Sequence, residues 1–575
     1  MSKTGFYAKY ELYDTTARED STLTTAYNQS FGDISKAKED ISSPDYGTLE
    51  QDYFLLDGTH PEMPDNPDDV VFFSSEMSGA DGTFTENPLL IILFTENHTS
   101  ACLTFHFVGD YPLEMKIRWV DGSGNYIEYA SYEVDSNKFV AWKQVENYRR
   151  LEIEFTRAMP YRYVKFRYIE YGTDIICGVD GYPVKEAKLV EECDPISNKI
   201  AINRLTFKLI DEKNDFDIGN MSGIHKVFQS GQKVMAYETI NGEAQLLGAF
   251  FLDSYSTTKN ISTISLVDYK GLLSKHTFRG GKVYTGEPAG EVIDQIMAAA
   301  GITAHTVDEA TRAAPLYGWL KIQDCRKALR EVLFACGSVI DSSRSGTVNI
   351  YKPSRVIHTT IQRSRKFSTT PKNQSYISDV AVKFPVYSLD EESKEIFKST
   401  YVPGIYTVDL SSPSAEMTIT GGTITEQTNN YVTFTVAEEG EVVISGRKYS
   451  KEDLTVTASV EKVDAGESRE TKSFTCTVLN ASRAAERAQA ILDYYDLRLN
   501  LKIKFLNEGD KVVDWAEVFN ANRQFGSYVA GIEKMTTDLT GGYISTAELR
   551  GYYKLVNDFY YTGEIIAGEE FGGYL

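Results

Sequence analysis

The stretch QDCRKALREVLFACG, Gln323 to Gly337, holds the residues best placed for nucleophilic chemistry. Asp324 precedes Cys325 at what reads as a helix start, where the positive end of the helix dipole favours a thiolate. Cys336 lies near the other end. The two cysteines are eleven residues apart, which returns them to nearly one helical face but separates them by ~16 Å along the axis. That separation excludes a disulfide within a continuous helix. Together with Ile322, Ala328, Leu329, Val332 and Leu333 they complete an apolar stripe, so burial is the expected state of both thiols. A cysteine nucleophile also needs a positioned base, and the only histidine after Cys325 is His358, in RVIHTTI.

Other constellations are incomplete. Asp215 and Asp217 in NDFDIGN have calcium-loop spacing, but Gly219 takes the next alternate position and the carboxylate series stops, which predicts a turn. RGGKVYTGEPAGE, Arg279 to Glu291, is glycine-rich before a helix yet lacks the order of a phosphate-binding loop. Six cysteines show no C-x-x-C spacing, and seven histidines form neither H-x-H nor H-E-x-x-H. Trp119, Tyr126, Tyr129, Tyr132 and Trp142 could stack on a sugar or fill a core. No catalytic, cofactor-binding or metal-binding residue is assigned, and no cofactor is called for.

The elements that would position such residues are many. A chain of 575 residues exceeds one hydrophobic core and predicts several domains. The net charge of −23 with no Lys/Arg cluster argues against a nucleic-acid partner. The longest apolar run, LLIILF at Leu89 to Phe94, is too short for a membrane helix and reads as a buried strand. MSKTGFYAKYELYD has no signal-peptide core, so folding in the cytoplasm that makes the chain is expected.

Along the chain, residues 1–87 read as an extended arm, with aromatic runs GFYAKYELY and DYFLLDG and the proline-rich HPEMPDNPDD. Residues 88–185 alternate with period two: in EMKIRWV, Met115, Ile117 and Trp119 face one way and Lys116 and Arg118 the other, predicting a β-sandwich. Residues 200–285 form a β unit in which Leu205, Phe207 and Leu209 alternate and Asn241-Gly242 makes a hairpin turn. Residues 286–365 carry two helices, the first with a stripe of Val292, Ile293, Ile296, Met297 and Ala300 and a cap at Gly301. Residues 375–553 give a second β unit, with Val380, Val382 and Phe384 alternating. It also contains a helix burying Ala484, Ala488, Ile491, Leu492 and Tyr495, and a hairpin at Thr540, Gly541 and Gly542. A tail follows at 554–575.

Three stretches, LTFKLIDEKNDF with GAFFLDSYSTTKNISTISLVDYKGLL, then DCRKALREVLFACGSVIDSSRSGTVNIYKP, then GIEKMTTDLTGGYISTAELRGY, resemble in order the hub proteins at the tail tip or baseplate of tailed bacteriophages. The resemblance implies an α+β, β-rich multidomain chain: a β-sandwich followed by two tail-tube-like β-barrel units with short helices between them. It further implies a homotrimer whose six barrels continue or cap the tail tube, contacting tube and distal tail or baseplate proteins in the virion, without catalysis. AMPYRYVKFRYIEYG resembles galactose-binding sandwiches of carbohydrate-binding modules, so cell-wall carbohydrate is a second partner and a tail adhesin the alternative function. The Asp324-Cys325 start resembles cell-wall cysteine peptidases that begin a helix with Asp-Cys-Ser-Gly. Here Arg326-Lys327 replace Ser-Gly and the histidine strand is missing, which leaves a peptidoglycan hydrolase as the third reading.

Overall fold

The computed structural model describes residues 5–25, 34–38, 48, 50–53, 57, 71–212, 214–217, 231–240, 242–461, 468–519 and 527–554. The chain is β-rich and multidomain, and divides into two compact units. One holds Lys9–Cys177 with Lys213–Gln229; the other holds Met1–Ala8, Gly178–Glu212 and Ser230–Leu575.

In the first unit a seven-stranded antiparallel sheet runs in the order Phe72–Phe73, Lys165–Glu170, Leu89–Phe107, Lys138–Arg157, Glu114–Val120, Tyr126–Glu133, with Thr22–Thr25 pairing alongside Leu90–Leu93. Met115, Ile117 and Trp119 are fully buried, as alternation predicts. The LLIILF run alternates: Leu90 and Ile92 are buried but Leu93 is exposed, so this strand is half-buried rather than wholly buried.

The segment 1–87 departs from an extended arm. Gly5–Tyr13 is a strand, Thr15–Asp20 a helix, and Ala17, Leu23, Ala37, Val71 and Phe72 sit in the same core as Trp119. Glu50, itself buried, pairs with buried Lys165 at 2.7 Å. Scattered apolar residues suffice because the existing sheet supplies the rest of the buried surface. HPEMPDNPDD and the tail after Lys554 lie outside the described residues.

The larger unit is organised by one sheet in the order Lys366–Asn373, Leu499–Leu506, Ile544–Lys554, Ser527–Asp538, Val184–Glu192, Arg204–Ile210, Ile261–Val267, Glu243–Thr258, Lys233–Ile240. Trp515–Phe519 also pairs with Ser527–Asp538, and Ile357–Ile361 pairs with Trp515–Phe519. The two β modules are therefore joined: Val184–Glu192 hydrogen-bonds to Arg204–Ile210 of one and to Ser527–Asp538 of the other. A boundary at 185 would split this strand, which belongs whole to the larger unit.

The second module is also built differently from a continuous 375–553 barrel. Its strands come from 357–373 and 499–554, while Asp379–Tyr401, Ser414–Thr420, Gly440–Ser459 and Thr471–Thr475 form a separate four-stranded sheet. A three-stranded sheet, Gly404–Asp409, Thr423–Gln427 and Tyr431–Val436, shares a second small core with that sheet, Val432 and Phe434 meeting Met417, Val442 and Ile444. Alternation marks strands but does not say which sheet they join.

Between the modules the helices Ala289–Ala299, Cys325–Cys336 and Ala481–Tyr495 share one core with Val380, Val382 and Phe384. Asp324 caps the middle helix by accepting from Lys327 N–H at 2.9 Å, and Gly337 ends it at φ 71°, a left-handed conformation that a Cβ would strain. Tyr495 is only half-buried.

Candidate assembly surface

The residues singled out for chemistry do not converge. Cys325 is completely buried at the start of its helix, and burial pushes its thiol up to about 11, opposite to the direction a nucleophile needs. Cys336, also buried, is pushed up to about 12 for the same reason. His358 is exposed on the strand Ile357–Ile361. Asp217 N–H donates to Asn214 O at 3.2 Å, closing a turn, and Gly219 lies outside the described residues. Within Arg279–Glu291, Val283–Pro288 is a strand paired with Pro315–Trp319, and Arg279 pairs with Asp409 at 2.6 Å, so backbone and cation are both committed. Among the described residues no group of acidic, histidine and cysteine side chains is arranged to hold a metal ion.

The aromatic residues divide. Trp119 is core, Trp142 and Tyr132 are half-buried, and Tyr126 and Tyr129 stand 66% and 71% exposed on the strand Tyr126–Glu133. That strand is the last in the order of its sheet and pairs with Glu114–Val120.

The surface that distinguishes the larger unit is the rim of its second module. Among the described residues, Lys366–Asn373 pairs only with Leu499–Leu506, and Ile357–Ile361 only with Trp515–Phe519. Phe367 is 59% exposed and Val356 60%; Ile357 and Phe519 are exposed beside them. Unpaired strand edges with apolar side chains are templates for further pairing. Pro371, Lys366 and Lys372 on the outer strand are the residues that discourage indiscriminate pairing of such an edge.

The junction contrasts with that rim. Ala187, Leu189 and Glu191 of the bridging strand point inward and are buried. Behind them lies an ionic cluster: Lys270 Nζ is 3.3 Å from Asp268 Oδ2 and donates to Asn203 Oδ1 at 3.1 Å, and Ser342 Oγ donates to Asp268 at 2.8 Å. Lys511 Nζ meets buried Asp341 at 3.0 Å, and Arg344 lies 3.9 Å from Glu191. Burial raises the Glu191 and Asp268 carboxyls above their ordinary values, against the pull of Arg344 and Lys270 respectively. Outward, the junction carries a polar groove of about 510 Å3 lined by Lys188, Lys208, Lys504, Glu186 and Asp538.

Sequence reasoning missed the rim and the cluster. Proline and lysine in KFSTTPKN were the available signal for an edge strand; the cluster is assembled from residues far apart in the chain and left no local signal.

No protein-family model matches the chain, and no curated protein sequence matches it. Among solved structures, it is similar to the 43 kDa tail protein of prophage MuSo2 from Shewanella oneidensis. The identity is 10% and the TM-score 0.37, over 64% of this chain and 94% of that one. It is similar to a tail protein from Neisseria meningitidis MC58 at 10% identity and TM-score 0.38, over 64% and 92%. A component of the type VI secretion system from E. coli aligns at 9% identity and TM-score 0.33, over 64% and 74%.

Proposed function

We propose that this chain is a structural hub subunit of a phage-type tail tip or baseplate. Three copies form a ring that continues or caps the tail tube and anchors adhesion or penetration components, within the virion. The observation that carries this reading is the pair of β modules fused through one strand and ending in an open, apolar rim. A rotational ring satisfies such edges by pairing each with a neighbouring copy, and closure leaves none free. Two modules per chain then give six around the ring, and the polar groove over the junction suits a solvated wall. The order of the three hub-like stretches supports the same reading, and so does the burial of Cys325, which removes the one candidate nucleophile from solvent. Native mass spectrometry of the purified chain tests it: a trimer is expected, and a chain that stays monomeric at every concentration and enters no tail particle contradicts it.

A second reading, a tail adhesin for cell-wall carbohydrate, is favoured by Tyr126 and Tyr129, two exposed rings on one strand. On a glycan array the whole chain would bind wall sugars and the Tyr126→Ala, Tyr129→Ala double variant would not. Equal signals from both proteins, or none from either, remove that reading.

A further inference from the structure

The larger unit contains a cavity of about 270 Å3 whose lining is cationic, although the chain as a whole carries −23. Lys352 and Arg355 come from the segment after the strand Val348–Tyr351, Arg487 from the helix Ala481–Tyr495, and Arg550 from the strand Ile544–Lys554. Four cations face one carboxylate, Glu533. That carboxylate is already engaged: Tyr494 Oη donates to it at 2.6 Å, and Arg550 Nε stands 3.5 Å away without hydrogen-bonding to it. Burial also raises the Glu533 carboxyl above its ordinary value, which weakens it as a counter-charge.

The arginines are only partly satisfied. Arg487 donates one Nη to Ile196 O at 3.3 Å, while its Nε is buried without a partner, and burial lowers its guanidinium to about 10. Buried cationic donors without acceptors are costly, and an incoming anion would repay that cost. The remaining wall is apolar and aromatic: Arg355 lies 5.9 Å over the Trp515 ring and Arg550 4.8 Å over Tyr494, with Leu497 and Ile532 beside them.

We propose that this pocket docks an acidic peptide segment of a neighbouring protein chain, with a glutamate or aspartate side chain between Arg355, Arg487 and Arg550 and an adjoining apolar side chain against Trp515. The charge complementarity selects the carboxylate, and the apolar wall selects a residue beside it over a bare ion. This rests on the pocket's own residues and needs no trimer, although Arg355 and Trp515 adjoin the rim residues Val356 and Ile357.

Isothermal titration calorimetry on the full chain tests it with three probes: acetyl-Gly-Glu-Glu-Phe-Gly-amide, the same peptide with both Glu replaced by Gln, and sodium benzoate. The acidic peptide is expected to bind about tenfold more tightly than the Gln peptide, the scale of one charge-assisted hydrogen bond. Its affinity should fall on raising salt and fall several-fold, by about 3 to 10, in Arg355→Gln, a variant at an exposed position that leaves the fold intact. Arg487→Gln, checked for folding by circular dichroism, should reduce it further. Equal binding of the two peptides, or no binding of the acidic one, overturns the proposal. Benzoate binding as tightly as the peptide with the same Arg355 dependence also overturns it, in favour of a small-molecule anion.

Discussion

Val184–Glu192 and Lys366–Asn373 are strands of the same sheet, nine and eight residues long, placed in opposite circumstances. The first is paired on both sides, buries Leu189 completely and backs onto an ionic cluster. The second is paired on one side among the described residues and leaves Phe367 in solvent. Two-sided pairing with inward-facing alternation makes a strand that holds a subunit together. One-sided pairing with a proline and lysines makes a strand that is kept from pairing at random while remaining open to a matching edge.

The largest effect is expected at the junction. Lys270→Met removes the cation facing buried Asp268 and should cost about 3 to 5 kcal/mol, the penalty of stranding one member of a buried ion pair. Urea unfolding followed by tryptophan fluorescence checks it; a loss no larger than that of an exposed substitution would erase the contrast between junction and rim. Cys325→Ser comes next, at about 1 to 3 kcal/mol for placing a hydroxyl in the helical core. Cys325→Ala should leave any digestion of purified cell wall unchanged, whereas abolished activity would restore the thiol as a nucleophile.

Acid and base should separate the junction from the smaller unit. Glu191 and Asp268 have folded-state values above their ordinary ones, so the folded junction binds protons more tightly than the unfolded chain; its stability is greatest on the acid side and falls as pH rises from about 4 through the raised values. In the smaller unit burial pushes Asp14 up, but hydrogen bonds from Thr16, Ala17 and His98 hold it below its ordinary value, and Glu154 is likewise held down by Asn87 and Arg118. Those contributions are present near neutrality and are lost as pH falls through the lowered values. Hydrogen exchange at matched intrinsic rates should show peptides from Leu89–Phe107 losing protection on acidification and peptides from Val184–Glu192 losing it on alkalinisation. The same direction in both would contradict the assignment.

The smallest effect on folding, and the sharpest on assembly, belongs to Phe367→Asp. Its side chain is exposed, so monomer stability should change by no more than about 0.5 kcal/mol, while sedimentation velocity should show loss of the proposed trimer. An unchanged trimer would place the interface elsewhere.

Much of the local structure was legible in the sequence because it depends on short-range periodicity and turn chemistry. Leu205, Phe207 and Leu209 alternate into the core, and the helix holding Cys325 stops at Gly337. The strands expected to flank Asn241-Gly242 pair antiparallel, with Ile240 opposite Glu243 and Gly242 at φ 90°, while Asn241 itself lies outside the described residues. What escaped depends on pairing between distant segments. Nothing in VKEAKLVEE says that it will lie between RLTFKLI and SYVAGIEKMTTD, and nothing in DVAVKFPVY says that it leaves the second module for a separate sheet. KFSTTPKN has too little alternation to announce a strand, yet it is the edge on which the assembly proposal rests. The burial of Cys325 was legible in the apolar stripe around it.

The ring itself is tested most directly by a cryo-EM reconstruction of the assembled particle with this chain located in it. The account predicts three copies at the tube's end, with six β modules around the axis and Lys366–Asn373 or Ile357–Ile361 paired to a neighbouring copy. A single copy, or three copies whose second-module rims face solvent, would contradict it.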